Sequence, residues 1–556
     1  MNSDYPGNPN SPSLHPDKKP SPVQPLLFAL TLIAGMFIGT NLGDKNLLQV
    51  KPSVEQNANK LVSLIDFIED NYVDSINKQQ LIDDAIASVL KNLDPHSYYM
   101  TAEEVALESE RMKGEFSGVG IEFLVMHDSL MVVKPIASGP SEAAGLKAGD
   151  RIVSVDGVAI SGKDLDSDKA QKLLKGKQGS KVKVAVIRPG KREAQEFTIE
   201  RGSIPIESVK ASFMVNDTVG YISVDRFAEK TYDEFVQATE KLEEKGCKSL
   251  ILDLRGNGGG LLNQAAEIVE EFLTEGKTIV STRGLHSGEE EIRSGKKGKY
   301  RNLNLIVMID QNSASASEIV AGALQDWDRS VTVGRRSFGK GLVQHEMELA
   351  DNSALRLTVA RYYTPTGRCI QKPYGDSIDY NDDFHERLMK GELTSADSIR
   401  FPDSLHFKTP GGRVVYGGGG ITPDVFVPLD SIYFSGLLSE IAYSGVIREY
   451  CFTYMDGHRA ELARYKTADD FLSKFAVSDA MIGSLLTLAE KSEVKINHQV
   501  TKKISPQLKT RVKGQIARSL FDDTAMVRVS LETDPDFKKA LQVALNFKEF
   551  AAVKKP

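Results

Sequence analysis

Leu305-Ile306-Val307-Met308-Ile309-Asp310-Gln311-Asn312-Ser313-Ala314-Ser315-Ala316-Ser317-Glu318 reads as a buried strand, a tight polar turn and the start of an apolar helix. The same texture repeats on both sides of it. Val219 to Val224, Ser249 to Leu254 and Val331 to Val333 are apolar or β-branched runs of strand length. Helical spacing fills the intervals, at Tyr232 to Lys245, Leu262 to Leu273 and Ala316 to Trp327. Strands alternating with helices predict an α/β layer fold on a largely parallel sheet, spanning residues 206–430.

Working outward, the region near 372–412, above all Lys372 to Phe407, is acidic, polar and aperiodic and reads as a surface insertion. The core resumes at Gly417-Gly418-Gly419-Gly420-Ile421-Thr422-Pro423-Asp424, and residues 431–556 read as a second, charged helical domain. Upstream, residues 43–113 form a helical cap. Leu61, Leu64, Phe67 and Ile68, then Leu81, Ile82, Ala85, Val89 and Leu90, carry its spacing until Asp94-Pro95-His96 starts a turn. From Gly114 to Arg201 short β-runs take over. Phe116-Ser117-Gly118-Val119-Gly120-Ile121-Glu122-Phe123, then Pro140-Ser141-Glu142-Ala143-Ala144-Gly145-Leu146 and Gly149 to Gly157, occur in an order that resembles a PDZ domain. No fixed-period repeat runs through the chain.

The 556 residues are 41% apolar and 26% charged, an ordinary globular composition, and at roughly 150 residues per domain suggest about three or four domains. A net charge of -7 argues against a nucleic-acid partner. Cys247, Cys369 and Cys451 are far apart, so neither a disulfide framework nor a thiolate metal site is expected. Pro25 to Leu42 is a mostly apolar run without charge, preceded by Lys18 and Lys19. It predicts a single span or an export signal, with residues 1–24 a disordered cytoplasmic tail and the body outside the cytoplasm. The expected location is a single-pass inner-membrane protein whose catalytic domain lies in the periplasm or outside the cell.

Three motifs carry chemistry. A serine at a strand-to-helix junction is exposed beside the amide of the next residue, although Ser315 or Ser317 could equally cap the helix. Gly334-Arg335-Arg336-Ser337-Phe338-Gly339-Lys340-Gly341 fits a phosphate-loop pattern, but Gly341 replaces the magnesium-binding hydroxyl and Leu342-Val343-Gln344-His345 reads as a strand. Lys340 is better read as a lysine buried against Phe338 and Val343, where desolvation lowers its pKa from about 10.4 and makes it a usable base. His345 as the base of a serine–histidine pair is the competing reading. Leu252-Asp253-Leu254-Arg255-Gly256-Asn257-Gly258-Gly259-Gly260-Leu261 runs a strand into a glycine turn whose amides can approach a reacting group.

Together these motifs, with Leu93-Asp94-Pro95-His96-Ser97 ahead of the PDZ module and Gly418-Gly419-Gly420-Ile421-Thr422-Pro423-Asp424 behind the core, resemble the carboxyl-terminal processing peptidases, or tail-specific proteases. The resemblance spans about residues 60 to 430. It implies a crotonase-like spiral core, Ser315 as nucleophile and Lys340 as its base, with Gln344 orienting the lysine. It implies an oxyanion hole from the amides of Ala316 and Gly260, and no metal or organic cofactor. Gly118, Val119, Gly120 and Ile121 take the place of the PDZ carboxylate loop, which implies protein or peptide substrates with free, apolar C-termini. An activator protein or a homo-oligomer is left open. The implied activity is a membrane-anchored serine endopeptidase working through an acyl-enzyme. The alternatives are a non-catalytic PDZ scaffold of the same fold and a nucleotide hydrolase using the glycine-lysine loop.

Overall fold

Apolar side chains that alternate between two buried faces build the central sheet. In the strands Ser249–Asp253 and Asn304–Ile309, Leu250, Leu252, Leu305, Val307 and Ile309 join one apolar cluster, while Ile251, Ile306 and Met308 join another. Burial on both faces is what a parallel sheet requires, and it explains why these strands read as unbroken apolar runs. The computed structural model describes residues 52–551 apart from 127–128, 161–164, 376–379, 381, 431 and 433–434. The expected tail (1–24) and span (25–42) lie outside the described residues. Among the described residues no single helix is long and apolar enough to cross a membrane.

The central sheet has six strands in the order Val209–Met214, Val219–Val224, Ser249–Asp253, Asn304–Ile309, Ser330–Gly334 and Val425–Phe426. The first pair is antiparallel and every later pair parallel. Each new strand adds at the same edge, so the chain advances as a spiral of strand-helix turns. Helices Thr231–Glu244, Leu262–Glu270 and Ala316–Asp326 cover one face. A second, antiparallel sheet holds Leu342–Glu348 and Ala354–Tyr363, the latter also paired with Thr278–Gly284 and with the short strand Tyr98–Met100.

Residues 115–205 form the β-rich module, whose sheet runs Ile121–Met126, Ser129–Pro135, Arg151–Val155, Lys181–Ile187 and Gln195–Glu200. Its entry and exit strands, Glu115–Gly118 and Gly202–Pro205, pair with each other, so the module hangs from the core on a two-stranded ribbon. The expected α/β core with an inserted PDZ module and helical ends is thus the observed architecture.

Two boundaries differ from the expectation. The region 372–412 is no mere surface insertion. Arg387 is buried and donates to the carbonyls of Arg336 and Ser337, while Glu392 accepts from Arg336, so the segment braces the turn before Lys340. The C-terminal helices do not form one separate domain either. Leu437 to Val529 share a core of their own, but Leu531, Phe537, Ala540 and Val543 cover the second face of the central sheet. The N-terminal unit, through Ala85, contains the helix Pro52–Asn71, where Leu61, Leu64 and Phe67 are exposed and only Ile65 is buried among the residues whose side chains are described.

Candidate active site

Ser315 ends the turn after the strand Asn304–Ile309 and opens the helix Ala316–Asp326, with φ 54° and ψ -114°. Positive φ in a serine is uncommon and persists only where surroundings impose it. Here they do. Ser313 Oγ donates to the Leu254 carbonyl at 2.8 Å and Ser317 Oγ to the Asn257 carbonyl at 2.9 Å, so the flanking serines pin the turn to the glycine loop. Both are buried, while Ser315 is half-exposed. Of the three serines, the middle one is left accessible.

The glycine loop closes on this turn. A Cβ at Gly259 would lie 2.7 Å from Ser315 Cβ and 3.0 Å from the Ala316 nitrogen, so only glycine fits. The Gly259 amide donates to Asn257 Oδ1 at 2.8 Å. The amides of Gly260 and Ala316 have no acceptor among the described residues and border the same cavity.

Lys340 reaches this cavity from the turn ahead of the strand Leu342–Glu348. Its Nζ donates to Gln344 Oε1 at 2.9 Å. Burial, then the charge of Arg356, lowers its pKa below the ordinary lysine value. Ser315, Ala316, Gly260, Lys340 and Gln344 all line one cavity of about 790 Å³, walled in part by Leu262, Ile319 and Val343. The Ser315 hydroxyl and the Lys340 amine do not hydrogen-bond to each other. His345 is exposed on its strand and does not line the cavity. Gly341 runs directly into a strand, so no helix N-terminus meets the glycine-lysine loop.

Sequence reasoning assigned no role to two residues that hold the site together. Glu318 is fully buried and accepts from the amides of Ser315 (2.9 Å), Gly339 (2.7 Å) and Lys340 (2.9 Å) and from Ser337 Oγ (2.5 Å). One carboxylate therefore fixes the backbone of both candidate side chains, Ser315 and Lys340; burial pushes its pKa up to about 7. Its signal was legible, since a serine followed three residues later by glutamate is the capping-box pattern. Asn257 is the other: its Nδ2 donates to the Val224 carbonyl and its own carbonyl accepts from Ala314 and Ser317.

In the β-rich module, Ile121–Met126 is an edge strand. Gly118 to Ile121 lead into it, and the Val119 carbonyl accepts from the Ser141 amide and hydroxyl. The Val119 side chain is buried in the module's core, which takes it out of any open pocket, whereas Ile121 and Phe123 are half-buried.

The profile of Peptidase family S41 matches residues 218–380, and a PDZ domain profile matches 117–200. An "Activating protease CtpB N-terminal domain" matches 34–104 and a family of unknown function 437–522. A carboxy-terminal-processing protease of Bartonella bacilliformis is 38% identical over 348 residues, 61% of this chain and 79% of the relative. The chain belongs to the carboxy-terminal processing proteases. The processing protease CtpB of Bacillus subtilis is 34% identical over 61% of this chain and 72% of its own. A solved photosystem II D1 C-terminal processing protease aligns at 29% identity over 56% of this chain and 88% of its own, with a TM-score of 0.31. This processing protease is accordingly a serine-type peptidase with a PDZ domain, and its substrates are proteins or peptides.

Proposed function

We propose that this protease is a membrane-anchored, extracytoplasmic endopeptidase that cleaves by a Ser315–Lys340 dyad through an acyl-enzyme. The observation that carries the reading is the convergence, in one cavity, of a strained accessible serine, a desolvated lysine and two amides without acceptors among the described residues. Ser315 Oγ attacks the scissile carbonyl carbon while Lys340 takes the hydroxyl proton. The oxyanion forms beside the Ala316 and Gly260 amides. Collapse breaks the C–N bond as Lys340 returns the proton to the leaving amine. Water then hydrolyses the ester, with Lys340 again accepting and returning a proton. The serine-lysine contact closes only with substrate bound, as catalytic hydrogen bonds commonly do.

The test compares Ser315→Ala, Lys340→Arg, Ser313→Ala and Ser317→Ala on a substrate with an apolar tail. Ser315→Ala and Lys340→Arg are expected to be inactive, the latter because arginine does not deprotonate in proteins. The flanking serines keep measurable activity but each variant loses about 0.5–1.5 kcal/mol of stability, the worth of one buried hydrogen bond, because the Leu254 carbonyl keeps the Asn257 amide and the Asn257 carbonyl keeps the Ala314 amide. Wild-type cleavage by Ser315→Ala sinks the assignment.

The PDZ domain selects the substrate by its tail. The amides of Gly118 to Ile121 meet the terminal carboxylate, and the tail adds as a strand along the free edge of Ile121–Met126, against Ile121 and Phe123. An amidated tail, or one ending in two aspartates, is expected to lower kcat/KM strongly, and deletion of residues 116–200 to erase that difference. Equal cleavage of all tails by the intact enzyme contradicts tail selection. The charge-free run 25–42 after Lys18 and Lys19 supports an anchored body outside the cytoplasm; fractionation of cells carrying the intact chain tests it.

A further inference from the structure

Gln344 has an amide with two ends of nearly equal shape and opposite chemistry. With Oε1 toward Lys340 it accepts one N–H, at 2.9 Å, and leaves the lone pair of the neutral amine free. Reversed, Nε2 would donate into that lone pair and occupy the electrons that must take the serine proton. The choice is made on the far side of the amide, where Gln344 Nε2 donates to the backbone carbonyl of His96.

That carbonyl belongs to the turn Asp94-Pro95-His96-Ser97. Asp94 Oδ1 accepts from the amides of His96 (2.8 Å) and Ser97 (3.0 Å) and from the Thr358 hydroxyl (3.0 Å). Ser97 Oγ donates to Asp94 Oδ2 at 2.5 Å and accepts from the Thr358 amide at 3.0 Å. Thr358 is the direct cross-strand partner of Gln344. The acceptor and the side chain it orients are therefore fastened to the same rung of the same strand pair. The His96 ring adds no cation beside the amine: burial, then the Lys340 charge, pushes its pKa down to about 4, and its Nε2 shares a 2.8 Å hydrogen bond with the Tyr380 hydroxyl.

We propose that Asp94 is a positioning residue for the lysine base: through the His96 carbonyl it fixes which end of Gln344 faces Lys340. The proposal rests on the Ser315–Lys340 reading and deepens it. Asp94 carries a charge toward Lys340, as do Arg356, Glu318 and Glu108, so a purely electrostatic role must be separated from the hydrogen-bonded one.

A double-mutant cycle does this. Asp94→Ala and Gln344→Ala are each expected to lower kcat by about tenfold or more with KM nearly unchanged. Together they should be no worse than the weaker single variant, within about twofold, because both break one chain of contacts. Asp94→Asn, whose Oδ1 still accepts the two turn amides, is expected to restore most of kcat with the acidic limb of the pH profile close to wild type. Losses that multiply in the double variant overturn the proposal, as does an Asp94→Asn as poor as Asp94→Ala, which would mark a charge effect. If Asp94→Ala does not accumulate as folded protein, Ser97→Ala takes its place in the same cycle. Lys340→Arg separates the two levels. Activity there defeats the dyad itself, whereas an inactive Lys340→Arg with multiplying Asp94 and Gln344 losses defeats only the positioning role.

Discussion

A lysine that works as a base must be neutral when substrate arrives, and the surroundings of Lys340 push it that way. Burial is the largest influence and Arg356 the next; both disfavour the ammonium, against Glu318, Asp94 and Glu108, which favour it. On the proposed Ser315–Lys340 dyad, the amine is protonated and inactive below the folded-state pKa and active above it, so lowering that pKa extends activity toward neutral pH. Arg356→Gln removes a repelling positive charge and leaves its partner Glu346 unpaired, and both changes favour the ammonium. The acidic limb of kcat/KM should therefore move to higher pH in that variant. A limb that stays in place, measured on folded protein, means the titration is not that of Lys340. Of the two apolar neighbours expected to desolvate Lys340, Val343 lines its cavity, whereas Phe338 packs on Lys372, His96 and Tyr380. Glu318 was not given a role, because its four donors come from residues 3 to 22 positions away and meet only in the fold.

Among the elements, four of the six central strands and the three helices over them were read to within a few residues, since each is either apolar throughout or spaced for a helix, while Val209–Met214 and Val425–Phe426 were not read as strands. Val219–Val224 coincides with its expected bounds, and Ala316 begins its helix as read. The 372–412 segment was misjudged for a physical reason. Among its described residues the buried Lys372, Tyr380 and Arg387 are held by ion pairs, carbonyls and ring contacts, and Leu393 is the one buried aliphatic side chain, so no apolar period results. The glycine loop shows the opposite case, where a run of three glycines announced close backbone approach without saying which one is indispensable. Gly259 sits at φ +106° with no room for a Cβ against Ser315, and Gly260 at φ +138° against the Phe227 carbonyl. Gly259→Ala must push the serine turn and the loop apart, and a displacement near 1 Å at a reacting group costs about 100-fold in rate. The expected result is a kcat reduced by about that factor in a protein whose circular dichroism is unchanged. Near wild-type turnover would mean that the loop does not set the serine's position.

At the scale of the whole molecule, the end of the chain is wired to the site at its middle. The helix Pro535–Leu545 lies in the region read only as a charged helical domain, and nothing in one sequence says which sheet an apolar face will cover. It covers the central sheet, with Phe537, Ala540 and Val543 against Ile251, Ile306 and Val331. Its first turn carries Asp536, buried and paired to Arg335 at 2.7 Å and to Arg255 at 3.3 Å, while Asp534 takes Arg255 at 2.7 Å. Arg255 stands at the head of the glycine loop, and Arg335 five residues before Lys340, so one helix terminus steadies both segments that border the candidate site from behind. Removing one partner of a buried ion pair leaves an uncompensated charge and costs about 3–5 kcal/mol. Asp536→Ala should lose about that much stability in chemical denaturation and lower kcat before it unfolds. Asp536→Asn keeps the acceptor oxygen and should lose less. A variant Asp536→Ala with wild-type stability would show that the two arginines find solvent or other acceptors, and that the terminal helix holds the sheet by its apolar face alone.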